Sequence, residues 1–458
     1  MNSTVTATIN NIDQQFVTDI VTKALHAGAS DAEAVFAEGD EFETLVRLGQ
    51  VEQLKEAGSR ALGLRVFQGE RTASTSTSDL SPAGIEQLVS GAMSLVRITS
   101  EDPFAGLPER GEFGSISGDL DLFYEDVYSL PAAERIEYAR RTEAAAMAVD
   151  ARIQNSGGGS FDAATGRKIQ ANSRGFVGES RGSSCSIAAQ PIAQSPDGGM
   201  QRDYWYSSQR SLHLLDSPEE VGREAARRTL RRLGARRVAT QRVPLVFAPE
   251  VAKSILGAIL AAVNGNAVYR SSSFLAGKLG ETVGGSNLTV IDDGTMVGGF
   301  GSGPFDGEGL PTRRKVVLDG GLLSSYLLNT YAARKLGLQS TGNASRGLAG
   351  SPGIGAGNFY LQPGTKTPEE ILAEIPSGLY VTELIGHGVN IVTGDYSHGA
   401  SGLWIENGEL TYPVEEITVA GNLKEMLHNV SSVGSDLIFR GAMACPTLCI
   451  EGMTIAGE

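Results

Sequence analysis

Apolar positions recur at helical spacing near the start of the chain. Ile12, Phe16, Ile20, Val21 and Leu25 fall on one face, and Gly28 follows as a stop. This spacing predicts a helix over residues 9–26. The period then changes to two. Runs at 32–37, 41–48, 50–56, 59–67 and 72–77 are rich in Val, Thr and Phe and are broken by Gly-containing polar pairs. They predict an antiparallel meander. Helical spacing returns over 81–96, where Ser81-Pro82 marks a start, and over 132–149. Residues 153–209 read as strands, with turns expected at 157–159 and 197–199. A basic helix is expected over 217–233.

The polar stretch 234–242 precedes a new apolar run, 243–247, and is the expected domain boundary. It divides the chain into residues 1–240 and 241–458. The second part opens with a strand and a helix over 250–263, and then turns into short strands joined by Gly turns. Hairpin strands are expected at 380–384, 403–406, 409–412 and 417–420. Asn407-Gly408 is the strongest hairpin turn signal in the chain. There is no fixed-period repeat. The expected class is α+β: an N-terminal α/β-type domain with an antiparallel sheet and helices, then a mostly antiparallel β domain.

Composition narrows the function. Among 458 residues, 41% are hydrophobic and 20% charged, enough to bury a core along the whole length. Gly (58) far outnumbers Pro (17), which suits many tight turns. A net charge of -15 repels phosphate backbones, so nucleic acid is not an expected partner. Arg227, Arg228, Arg231, Arg232, Arg236 and Arg237 form a local exception, read as a solvated helix face or a patch for nucleic acid or an acidic partner. Three cysteines, Cys185, Cys445 and Cys449, argue for a reducing compartment. The first residues have no basic and apolar signal pattern, and no run approaches a membrane span, so a cytoplasmic protein with no membrane partner is expected.

The five histidines, His26, His213, His387, His398 and His428, never stand three to five residues apart. A helical zinc-peptidase motif needs two imidazoles about one turn apart beside a Glu base, and it is absent. The nearest ligand-like set is Glu383, His387, Asp395 and His398, on strand and Gly-rich loop, open to ordinary polar contacts, metal or substrate. Cys445 and Cys449 read as small buried hydrophobes or half of a metal site. No nucleophile elbow or phosphate loop occurs. The Gly-rich run 298–304 leads into Asp306-Gly-Glu-Gly and reads as plain turns or as a loop lining a cleft.

Several passages together resemble the TldD/PmbA family, on its PmbA (TldE) branch. They are Ile291-Asp-Asp-Gly-Thr295, Gly307-Glu-Gly-Leu-Pro-Thr312, the stretch from Tyr326 to Gly337, Gly394-Asp-Tyr-Ser-His-Gly-Ala-Ser-Gly402, and Trp404 to Leu423. The stretch from Glu52 to Gly69 is similar too. The resemblance implies a metallopeptidase complex that processes or degrades peptides, including a peptide antibiotic's leader and an antitoxin. An older label for the family is modulator of DNA gyrase. It implies a homologous TldD-like partner whose zinc sits on an HExxxH helix with a distant Cys, and peptide substrates that lie extended like an added strand.

The family's metal helix falls on residues 250–266. Leu256, Gly257 and Ala261 stand where the two His and the Glu belong, and no His lies between His213 and His387. The expectation is therefore a chain with no catalytic residues, no metal and no cofactor of its own, paired with a zinc-bearing partner or homodimeric when alone. Gly299, Gly301, Asp306, Glu308, Asp395, Tyr396 and His398 are the expected channel or interface residues. Two rivals are a self-sufficient peptidase built on Glu383, His387 and His398, and a binding protein unrelated to proteolysis, such as a topoisomerase regulator.

Overall fold

The computed structural model describes residues 12–457. Helix α1 (Gln14–His26) starts where Asp13 accepts a hydrogen bond from the Phe16 N–H at 2.9 Å. Residues 9–11 of the expected helix lie outside the described residues. Then follow β1 (Asp31–Arg47), β2 (Gln50–Gln68), β3 (Arg71–Thr77), α2 (Pro82–Val96), α3 (Ala132–Met147), β4 (Ile153–Asn172), β5 (Val177–Gln194), β6 (Met200–Arg202), β7 (Trp205–Gln209) and α4 (Pro218–Leu230). The strands form one antiparallel sheet in the order β3-β2-β1-β4-β5-β6, with β7 also on β5. Helices α1 and α2 bury Val17, Ile20, Leu88 and Met93 against Phe36, Leu62 and Leu64. At the other end α3 and α4 cover Phe42, Phe161 and Ile187.

Three turns expected from glycine are not turns. Runs 32–37 and 41–48 are one strand, and so are 50–56 and 59–67. Gly39 and Gly58 sit inside the ladder, in register with Ser59 and Asp40. A Cβ on Gly39 would stand 2.7 Å from the Thr165 carbonyl oxygen, so the glycine answers close packing, not chain reversal. At 157–159 the chain forms a bulge within β4, with Gly158 at φ +115. A Cβ on Gly159 would meet the Ala139 oxygen of α3 at 2.3 Å, so the bulge lets the helix seat.

The second half opens with β8 (Gln241–Phe247) and α5 (Pro249–Val263). Strands Ser377–Ile385, Asp395–Glu406, Glu409–Asn422 and Leu448–Ala456 join β8 in a closed five-stranded ring. Only the contact of β8 with Ser377–Ile385 is parallel. The expected hairpin is present. Asn407 and Gly408 have φ of 52 and 85, the double left-handed turn that an Asn-Gly pair favours. A second sheet holds Val290–Asp293, Arg314–Asp319 and Asn358–Leu361. Helix α5 joins both layers in one core with Leu245, Phe247, Val290, Phe359 and Leu379.

Buried charges fasten the halves together. Glu33 of β1 has no exposed surface; it contacts Arg65 of β2 at 2.5 Å and Arg346 of the second half at 2.5 Å. The arginine run on α4 contributes as well, and the reading of a solvated face needs correction. Arg228 is buried, pairs with Glu250 at 3.3 Å and lies 4.2 Å over the Trp205 ring. Arg232 pairs with Glu383, while Arg227, Arg236 and Arg237 stay exposed. Arg228 on α4 and Arg232 just beyond its end meet carboxylates of the other half, which spacing alone does not reveal. No helix among the described residues is long and apolar enough to cross a membrane.

Replacing Glu33 leaves two guanidinium groups buried without their anion. Glu33→Gln is expected to lower stability by about 3–5 kcal/mol, read from a denaturant titration. A loss under about 1 kcal/mol would show that the triad is not an anchor.

Candidate functional site

Helix α5 begins with Pro249 at its first turn and buries Ala252, Ile255, Leu256, Ile259 and Val263. Its other face carries Lys253, Ser254, Gly257 and Ala261 and is half exposed. Strand Asp395–Glu406 supplies the neighbours, because alternation sends Tyr396 and His398 to one side and Asp395 to the other. The Tyr396 hydroxyl and Ser254 Oγ share a hydrogen bond of 2.9 Å, and burial pushes the Tyr396 pKa up to about 12. The His398 ring lies 4.6 Å from that of Tyr396. His398 Nδ1 stands 3.1 Å from the Gly386 carbonyl, which can only accept, so Nδ1 carries the proton. Burial lowers the His398 pKa, which keeps the ring neutral, and Nε2 is buried without a partner. Asp395 is exposed and bonded to Thr393 and Asn422, which hold its pKa down.

The Gly-rich loop forms a second, separate group. Gly301 donates its N–H to Asn358 Oδ1 at 2.9 Å, and a Cβ there would stand 2.3 Å from Gly357. Gly299 likewise packs against Asn358. Asp306 accepts N–H bonds from Glu308, Leu310 and Ala344 at 2.9, 3.0 and 2.9 Å, yet burial raises its pKa. Glu308 accepts from the Thr330 N–H at 2.9 Å and hydroxyl at 2.6 Å. Burial, with the Asp306 charge second, pushes Glu308 up to about 7. The Gln170 amide of β4 donates to the Gly307 carbonyl at 3.0 Å and ties the loop to the first half. A cavity of about 270 Å³ lies beneath, bordered by Lys168, Asp306, Lys315 and Asn343. A groove of about 460 Å³ adjoins it, sharing Lys168, Ser180, Ser302, Gly303 and Phe305.

These local arrangements match a known architecture. Consecutive stretches fit sequence profiles of the PmbA/TldA metallopeptidase domain 1 (32–96), central domain (125–233) and C-terminal domain (240–457). The chain is 40% identical over 435 residues to Metalloprotease PmbA of Escherichia coli O157:H7, covering 95% of this chain and 94% of the relative. The chain belongs to the PmbA/TldD metallopeptidase family. Its fold matches a Bacteroides thetaiotaomicron protein described as a modulator of DNA gyrase, with TM-score 0.91 and 27% identity over 98% of this chain and all of that one. It also overlays TldE from Thermococcus kodakarensis at TM-score 0.87 and 21% identity, over 96% and 100% of the two chains, a likeness of fold.

Metalloprotease relatives imply a metal, so the donors on α5 decide whether this member could hold one there. Leu256 points into the core, and Gly257 and Ala261 carry no nitrogen, oxygen or sulfur in their side chains. Cys445 is buried close enough to feel Lys253 of α5, and burial pushes its thiol up, away from the thiolate a metal needs. Among the described residues no group of three or more His, Cys, Asp or Glu converges. Glu383 is held by Arg232, and His387 is exposed, so the set with His398 is not assembled. The residues present do not fit the metal. Lys168 and Arg210, which border the groove, were not singled out from sequence. Their only signal is a polar position on an alternating strand and a lone Arg after one.

Two measurements test these environments. Tyr396→Phe keeps the ring and loses the bond to Ser254, so a loss of about 1 kcal/mol is expected in a denaturant titration. Folding raises the Glu308 pKa, so the proton binds more tightly in the folded state. That contribution is full below the ordinary Glu range and is lost as pH rises through about 7. Glu308→Gln should therefore flatten the fall of Tm between pH 5 and 8; an unchanged slope contradicts the assignment.

Proposed function

We propose that this chain is the non-catalytic, PmbA/TldE-type subunit of a two-subunit peptidase. A homologous TldD-like chain carries the zinc in this reading, and the chain homodimerises only when that partner is missing. The observation that carries the proposal is α5. By resemblance to the family the metal-binding helix falls here, and on that alignment Leu256, Gly257 and Ala261 stand at the ligand positions. Zinc supplies Lewis-acid activation of the scissile carbonyl and of water, and that chemistry belongs to the partner. This chain's own residues shape the enclosure. The loop through Phe300 and Ser302 roofs a groove on β4 and β5, which we assign to extended peptide. The substrates are peptides such as antibiotic precursors and antitoxins. Three buried, unpaired cysteines agree with work in the cytoplasm.

The test is to purify the chain alone and together with a zinc-bearing homologue from the same cell. Metal content and peptide cleavage are measured for each. The lone chain is expected to hold far less than one zinc and to cleave nothing, while the pair cleaves. A lone chain with stoichiometric zinc that hydrolyses peptide would end the proposal.

A further inference from the structure

Two cations bordering the groove beneath the Gly-rich loop form no ion pair among the described residues, with Glu33 and Asp306 acting on Lys168 only from a distance. Lys168 of β4 donates from Nζ to the Arg346 carbonyl at 3.3 Å and has no ion-pair partner among the described residues. Arg210 donates only to carbonyls: Ser183 at 3.1 Å, Gly299 at 2.8 Å and Phe300 at 3.0 Å. Its Nε is buried and has no partner. Burial lowers the pKa of both groups, and for Arg210 no nearby anion opposes it.

The other charges around the groove are already engaged. Glu38 pairs with Arg60 at 3.2 Å and Arg167 at 3.2 Å. Arg167 also meets Glu179 at 2.8 Å, and Arg181 meets it at 3.1 Å. In the adjoining cavity Lys315 pairs with Asp292 at 2.9 Å. Asp306 spends its oxygens on three backbone N–H groups. In a chain of net charge -15, half-buried cations without an ion pair are not a by-product of basic composition. A desolvated cation costs free energy unless an anion or strong acceptors meet it. Lys168 has two further N–H donors to offer, and the Ser180 hydroxyl, from its register partner on β5, borders the same space.

We propose that this groove is a carboxylate-binding subsite: it takes a peptide's C-terminal carboxylate or acidic side chain, seated on Lys168 and Ser180 with Arg210 behind. The subsite sorts peptides by charge and is separate from the helix where the family's metal belongs. It rests on the peptide-handling reading only for the identity of the ligand.

The test uses the full chain and a short Val/Ala peptide in four forms: free C-terminal acid, C-terminal amide, and amides with a central Glu or Gln. Binding is read by calorimetry. The acid or the Glu form is expected to bind about tenfold or more tightly than its neutral counterpart. Which of the two shows the gain tells whether terminus or side chain is the source. Lys168→Gln should abolish that ratio and Lys168→Arg should retain most of it. The comparison on the unaltered chain needs no variant to fold. Equal affinities for charged and neutral peptides, survival of the ratio in Lys168→Gln, or no binding by the chain alone or with its zinc-bearing homologue would each overturn the subsite. If the pair cleaves peptides but shows no charge ratio, the subunit reading stands and the subsite falls. If the lone chain shows the ratio but no homologue confers cleavage, the reverse holds.

Discussion

Glu33 is a carboxylate with no exposed surface, held between guanidinium groups from the two halves of the chain. Charges removed from water are tolerated only when the opposing groups meet at close range, so this contact admits little sliding or rotation. Around it the chains are pressed together. A Cβ on Gly63 of β2 would stand 1.7 Å from the Leu348 carbonyl, a clash no rearrangement of a side chain relieves. The segment bearing Arg346 and Leu348 is thereby laid across β1 and β2. The Gly-rich loop, joined to that segment through Asp306 and the Ala344 N–H, is set over β4 and β5. The groove exists because the two halves are locked in this relation.

Helix α5 shows a different balance. Its buried side is packed by aliphatic side chains in the largest core cluster among the described residues, and its half-exposed side carries Ser254, which bonds Tyr396 beside His398. The ring of strands orients these polar neighbours. Tyr396 and His398 are fixed through one hydrogen bond each, to Ser254 and Gly386. The fold of the PmbA/TldD metallopeptidase family is held here by apolar packing of this helix, so the stability of the fold does not depend on the chemistry it carries.

Of the expected channel residues, Gly301 and Asp306 border the cavity under the loop, while Gly299 packs on Asn358 and Glu308 is buried against Thr330. Tyr396 and His398 gather instead beside α5, and Asp395 faces solvent. The two clusters belong to different sheets, although the sequence presents both as Gly-rich polar passages. Lys168 was invisible for a related reason. On an alternating strand the side opposite Ile169 and Ala171 reads as solvent, and only the arrival of a loop from far along the chain encloses it.

What the residue order determined by itself is whatever depends on neighbours within a few positions. Helix starts at Ser81 and Ser217, the Asn407-Gly408 turn and the apolar stripe on α5 were all legible, because caps, turns and periodicity act locally. Tertiary structure decided the rest. Gly39 looks like a turn residue until a neighbouring strand needs its missing Cβ. Arg228 and Arg232 look solvated until carboxylates of the other half approach them. The pairing of β8 with Leu448–Ala456 and that of Glu33 with Arg346 join residues hundreds of positions apart. Such contacts arise from burial and shape in the folded state, for which short spacings in the chain carry no signal.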